Sequence, residues 1–175
     1  MDKTHQLANG AVDVDAEIRR DLIEPFIAAA TAALGEMAGV EVAVQSVSRR
    51  STPSSIGDIF AVVEILAPPS GYLVVSLPLS TATGFAGRIL AGVAKDLDAG
   101  LIRDCMGEVA NVICGQAKAM LAAGPNPFIF AVPKLRSTLD EFQLRESSDC
   151  LVVAFRSEQG NFALQLLLNP VARIS

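Results

Sequence analysis

Five residues, Asp104, Glu108, Asn111, Gly115 and Lys118, follow one another at intervals of four, three, four and three. On a helix turning about 100° per residue they fall into one stripe, within roughly 40° of Asp104 on either side. A carboxylate and an amide one turn apart on such a stripe can enter the same pocket together. What the rest of the chain lacks narrows the chemistry further. The one histidine, His5, lies in a polar N-terminal segment, so a Ser-His-Asp or Cys-His nucleophile system has no base, and a His-rich metal site has no ligands. No Gly-rich phosphate loop is present. Cys105, Cys114 and Cys150 are odd in number and form no CxxC pair, which argues against a disulfide framework and a structural zinc. Catalysis, if there is any, runs on carboxylates, amides or lysines, and no cofactor or metal of the chain's own is expected.

The opposite side of the same stretch carries Ile102, Met106, Val109, Ala110, Ile113, Ala117 and Met120, an ordinary core stripe. Polar residues facing away from such a stripe are what any half-buried helix shows. Asp104 and Glu108, however, are a like-charge pair at i,i+4, destabilising by a few tenths of a kcal/mol, which a merely solvated face has no reason to keep. Gly107 and Gly115 each cost about 1 kcal/mol relative to Ala inside a helix. With Cys114, Gly107 is expected to leave a low flank beside the stripe on which another protein can approach the backbone.

Around this helix the sequence predicts an N-terminal tail over 1–15 and one domain over 16–175. A helix is expected over about 16–38, with Pro25 at a restart or first-turn position. A strand follows at 40–47 and a polar loop at 48–58. Continuous apolar strands at 59–66 and 72–79 should pair as an antiparallel hairpin through the turn Ala-Pro-Pro-Ser-Gly. Ser80 is expected to cap a short helix to about 91, and Asp98 or Gly100 to open the long one, ended near Gly124-Pro125. Strands at 128–132, 151–155 and 162–168 complete the order. A long helix followed by a strand group thus occurs twice, which predicts an α+β sandwich, an antiparallel or mixed sheet packed against long helices.

Composition supports a real core: 51% of the 175 residues are hydrophobic and 19% charged, with a mean hydropathy of +0.42. Fourteen basic against nineteen acidic side chains leave a net charge of −5, so backbone binding to nucleic acid has no electrostatic support. The longest uncharged run, 65–87, is broken by Pro68, Pro69, Gly71 and Pro78, and reads as two elements around turns rather than a membrane span. The N-terminus has no basic segment followed by an apolar one, so a cytoplasmic protein is expected.

The string DCMGEVANVICGQAK, residues 104–118, resembles the signature of the CheC/CheX family of phosphatases that dephosphorylate chemotaxis response regulators. In that signature an acid, a Glu four later and an Asn three later share one helix. Gly115 and Lys118 match the Gly and Lys that often follow. Glu24-Pro25-Phe26-Ile27 looks like the opening of CheX-type chains, and Pro133 stands near a family proline, after 21 intervening residues where about one more is usual. The glycine often found after that proline is missing from VPKLRST. No acid-x-x-Asn constellation occurs in the first helix, so the resemblance implies one site per chain, in the manner of CheX.

The resemblance also implies a CheC/CheX-like fold, and a phosphoaspartate phosphatase whose substrate is a CheY-like receiver carrying its own Mg²⁺. Asn111 would orient the attacking water and Glu108 would pair with the receiver's active-site lysine. Asp104, Gly107, Gly115, Lys118 and Pro133 would support docking. CheX-type chains are homodimers, and the long apolar strands at 59–79 and 151–168 offer β-branched edges for a second copy. Two other readings stay open: a receiver-binding or flagellar-switch-like module of the same fold that hydrolyses nothing, and a small-molecule binder suggested only by the small-residue flank.

Overall fold

The computed structural model describes residues 20–54, 56–67, 70–122, 128–139 and 149–169. The predicted tail, the start of the first helix at 16–19, the Pro68-Pro69 turn and the Gly124-Pro125 stop lie outside them. Among the described residues three helices and six strands follow the expected order: α1 (Arg20–Ala38), β1 (Val42–Arg50), β2 (Ile59–Ile65), β3 (Gly71–Leu77), α2 (Leu79–Ile89), α3 (Ala99–Leu121), β4 (Lys134–Arg136), β5 (Asp149–Ser157) and β6 (Gly160–Leu168). The strands form one sheet, ordered β1-β5-β6-β3-β2-β4 and antiparallel at every pairing.

That order reads the same from either end once the halves are exchanged: β1 answers to β4, β2 to β5 and β3 to β6. Each half lends its first strand to the middle strand of the other, so the repeat legible in the sequence becomes a pseudo-twofold sheet. The apolar runs at 59–79 and 151–168 are interior strands whose edges are already paired within the chain. The outer edges belong instead to β1 and β4.

Both faces of the sheet are covered, which is why its central strands are apolar without alternation. On one face Ala61, Val63, Leu73, Val75, Leu164 and Leu166 meet the helices, which contribute Phe26 and Leu34 from α1, Phe85 from α2, and Met106, Val109 and Ile113 from α3. Ala29, Ala30 and Ala33 of α1 and Ala110 and Ala117 of α3 are fully buried, small side chains that let helices pack closely. On the other face Phe60, Val62, Val74, Val152 and Leu167 pack with Leu139. A buried amide holds the loop after β1 to that face. Gln165 donates to Ser54 O (2.8 Å) and Ser76 Oγ (2.7 Å) and accepts from Ser54 N (2.6 Å).

Several boundaries depart from expectation. β1 runs on through Ser48–Arg50, because pairing with Val152, Leu151 and Cys150 of β5 gives these polar residues a ladder. Pro25 lies inside α1 without ending it, leaving the carbonyl four residues back without its usual partner. Ser80 does not cap α2. Pro78 occupies the cap with no side-chain bond, and Asp58 Oδ2 accepts from Leu79 N at 2.7 Å, a cap supplied from 21 residues upstream. Asp98 caps α3 as expected, accepting from Leu101 N at 2.8 Å. Met120 leaves the core stripe and is 47% exposed. No described helix is long and apolar enough to cross a membrane.

Candidate functional site

Helical periodicity fixes which way α3 presents its side chains. Ile102, Met106, Val109, Ala110, Ile113 and Ala117 are buried, and Asp104, Glu108, Asn111, Gly115 and Lys118 are all exposed. The side chains of Asp104, Glu108 and Asn111 make no hydrogen bond or ion pair with other described residues. Neighbouring polar groups are tied down: Arg103 donates to Ser137 Oγ (3.2 Å) and Gln116 to Glu36 Oε2 (3.0 Å). The stripe therefore keeps its carboxylates and amide available to something outside the chain.

The segment before β4 builds the facing wall. Phe130 bridges Ile65, with Leu66 N donating to Ile129 O (2.8 Å) and Ala131 N to Glu64 O (2.9 Å). Pairing resumes where Lys134 meets Val62. Between the two points Ala131, Val132 and Pro133 stand opposite only Glu64 and Val63, so the segment carries a bulge of one residue. The expected strand at 128–132 is thereby reduced to a single bridge, with the regular strand displaced to β4. Pro133, which has no N–H for the ladder, belongs at such a break. The bulge also resets the pleat. Phe130 packs edge-on against Phe26 of α1, and Leu135, five residues on, still faces α3 on the same side of the sheet. Phe128 joins this aromatic group, meeting Phe26 edge-on with ring centres 6.0 Å apart.

Gly107 receives that wall. A Cβ placed there would lie 3.0 Å from Leu135 Cδ2, so this chain's own β4 packs against the low spot. Cys114, the other half of the predicted flank, is 3% exposed and out of reach. Gly115 differs, since a Cβ there would meet nothing within 4 Å.

Together these elements enclose a groove of about 770 Å³, into which Asp104, Gly107, Glu108, Asn111 and Pro133 all face. Gly115 and Lys118 continue the stripe beyond it. The remaining lining was not anticipated from sequence: Met37 at the end of α1, Ile89 and Leu90 at the end of α2, and Leu101, Val132 and Leu135. Leu101 alone left a signal there, an apolar residue about 60° from Asp104 on the polar side of the wheel. Cys105 sits in the groove with its thiol pKa raised, first by burial and then by the nearby Glu108 carboxylate. Among the described residues no three of His, Cys, Asp and Glu gather as a metal-binding group. The arrangement offers two carboxylates and an amide at the rim of a largely apolar cleft.

Several solved structures superpose on most of this chain. A chemotaxis protein CheX from Desulfovibrio desulfuricans superposes with a TM-score of 0.72 at 25% identity, covering 85% of this chain and 99% of the other. A putative chemotaxis protein from Desulfovibrio vulgaris Hildenborough gives 0.71 at 24%, with 85% and 97% covered. A CheX-CheY-BeF3-Mg²⁺ complex from Borrelia burgdorferi contains a chain that matches at 0.64 and 20%, with 84% and 97% covered. No curated protein sequence matches the chain. The family model for chemotaxis phosphatase CheX matches residues 59–156, from β2 into β5 and across the whole of α3, and so the chain belongs to the CheX family.

Proposed function

We propose that this chain accelerates hydrolysis of the aspartyl phosphate on a CheY-type response-regulator receiver. The observation that carries the reading is the exposed Glu108 and Asn111, one turn apart at the groove's rim, whose side chains bond to no other described residue. In hydrolysis a water attacks the phosphorus, the bond to the receiver's carboxylate breaks, and inorganic phosphate leaves. The receiver supplies Mg²⁺ and a lysine for the charge. A partner contributes position, and an amide that orients the attacking water is an established way to do so in phosphoryl transfer. Asn111 takes that role, while Glu108 meets the receiver's lysine and holds the two proteins in register. Asp104 and Pro133 border the same groove, and Gly115 and Lys118 extend the docking face along α3. Gly107 acts from beneath, by seating β4.

Family membership supports this reading, as does the presence of CheX with CheY in one of the structurally similar complexes. A homodimer belongs to the same reading, and sedimentation as a monomer at micromolar concentration refutes that part. The decisive assay follows loss of label from a panel of phosphorylated receivers with Mg²⁺, comparing wild type with Asn111→Ala. One receiver should be accelerated, with about 10² or more of that acceleration lost in the variant, the scale for one positioned polar group. Glu108→Ala should weaken complex formation as well. Equal acceleration by all three proteins overturns the assignment, and binding without acceleration by wild type makes this a docking module.

A further inference from the structure

We propose that the apolar wall of the groove takes up one large aliphatic or aromatic side chain of the receiver, lying beside the lysine that Glu108 meets. The inference rests on the receiver reading above and names what fills the space that reading leaves empty. Asp104, Glu108 and Asn111 occupy one rim of a groove of about 770 Å³, within the size range of pockets that enclose a whole small ligand. A lysine head and a phosphoryl group at that rim leave the far wall unfilled. The apolar lining consists of Leu101, on α3 beside that rim, with Met37, Ile89 and Leu90 at the ends of α1 and α2, and Val132 and Leu135 in and before β4.

Val132 shows that the wall is open to an occupant. The bulge at 131–133 turns it out of the ladder, and it stands 81% exposed in the groove while Leu135 is drawn down onto Gly107. Bulges beside functional sites re-aim side chains in this way. Charge then selects the occupant. Among the described residues the groove is lined by two carboxylates and by no lysine or arginine. An acidic or purely polar segment would strip water from those carboxylates and from the apolar wall without replacing either interaction. A cation with an apolar neighbour satisfies both, and the predicted partner chemistry is that pair on one surface.

The test titrates the full chain with a receiver loaded with Mg²⁺ and BeF3, and measures steady-state dephosphorylation in parallel. Val132→Ser should raise Kd and KM about tenfold, the scale of one buried apolar side chain, and change kcat far less. Val132→Ile should stay within about twofold of wild type, and because Val132 is exposed neither change threatens the fold. Leu101→Asn provides a second probe from a different element. Affinity unmoved by Val132→Ser and Leu101→Asn overturns the proposal even where Asn111-dependent hydrolysis stands. Affinity that depends on Val132 in a protein that hydrolyses nothing upholds the cleft and removes the phosphatase reading.

Discussion

Gly115→Ala is expected to stabilise the free protein and weaken its hold on a receiver, two effects of one methyl group. Gly115 lies in the interior of α3, is exposed, and offers a new Cβ no neighbour within 4 Å among the described residues. An interior glycine costs about 1 kcal/mol relative to alanine, largely because it has more freedom to lose on folding. With nothing to collide with, that gain should appear whole, as a rise in Tm of about 2–4 °C for a chain of this size. Gly107→Ala is the internal control. There the same substitution in the same helix brings a Cβ to 3.0 Å from Leu135 Cδ2, and pushing Leu135 aside offsets the propensity gain. Thermal scans of wild type and both variants measure the difference. Gly115 also follows Asn111 by one turn, where a docked receiver would lie against the helix. Forcing a methyl group into that contact costs about 1–3 kcal/mol, so KM for the phosphorylated receiver should rise roughly 5- to 150-fold. An unchanged or lowered Tm refutes the reasoning about open space, and a raised Tm with unaltered KM removes Gly115 from the docking face.

Three further outcomes can be checked without a partner. Gln165→Leu removes three hydrogen bonds around a buried amide and strands Ser54 and Ser76, so urea denaturation should show a loss of about 2–4 kcal/mol; a loss below about 1 kcal/mol contradicts the clamp. Asp98→Ala deletes the α3 cap and should cost about 1 kcal/mol by the same measurement. Burial pushes the Cys114 thiol up to about 12 from 9.0. The folded chain therefore keeps a proton that the unfolded chain releases, and this contribution, whole below pH 9, is lost as pH climbs toward 12. Urea midpoints from about pH 8 to 10.5 should fall more steeply for wild type than for Cys114→Ala, and parallel slopes would contradict it.

What the sequence disclosed was local. The hairpin of β2 and β3 was legible because two apolar runs flank a turn, and the α3 stripe because a period of 3.6 separates Asp104, Glu108 and Asn111 from Met106 and Val109. Asp98 was legible as a cap because its partner is three residues away. Features that depend on distant residues were not legible. Asp58 caps α2 from across a hairpin, so Ser80 looked like the nearer candidate. The bulge at 131–133 is defined only against β2, and a single run of apolar residues gave no hint of it. That Leu135, 28 residues on, packs against Gly107 was equally out of view. One rim of the groove was thus readable, while the wall built by Met37, Ile89, Leu90 and Val132 required the fold.

The exchange of first strands between halves has a consequence during synthesis. β1 finds its ladder on β5, roughly 100 residues later in the chain, whereas β2 and β3 close on each other at once. At about 5–20 residues per second, β1 waits roughly 5–20 seconds on the ribosome with both edges open. A strand left unpaired for that long is a template for aggregation, and its composition matches the risk. Gln45, Ser46 and Ser48 interrupt its apolar residues, and Arg49 and Arg50 close it with like charges that discourage pairing with a neighbouring nascent chain. The polarity of β1, which made it look like half a strand and half a loop, suits an element that emerges early, pairs late and keeps one edge open in the finished sheet.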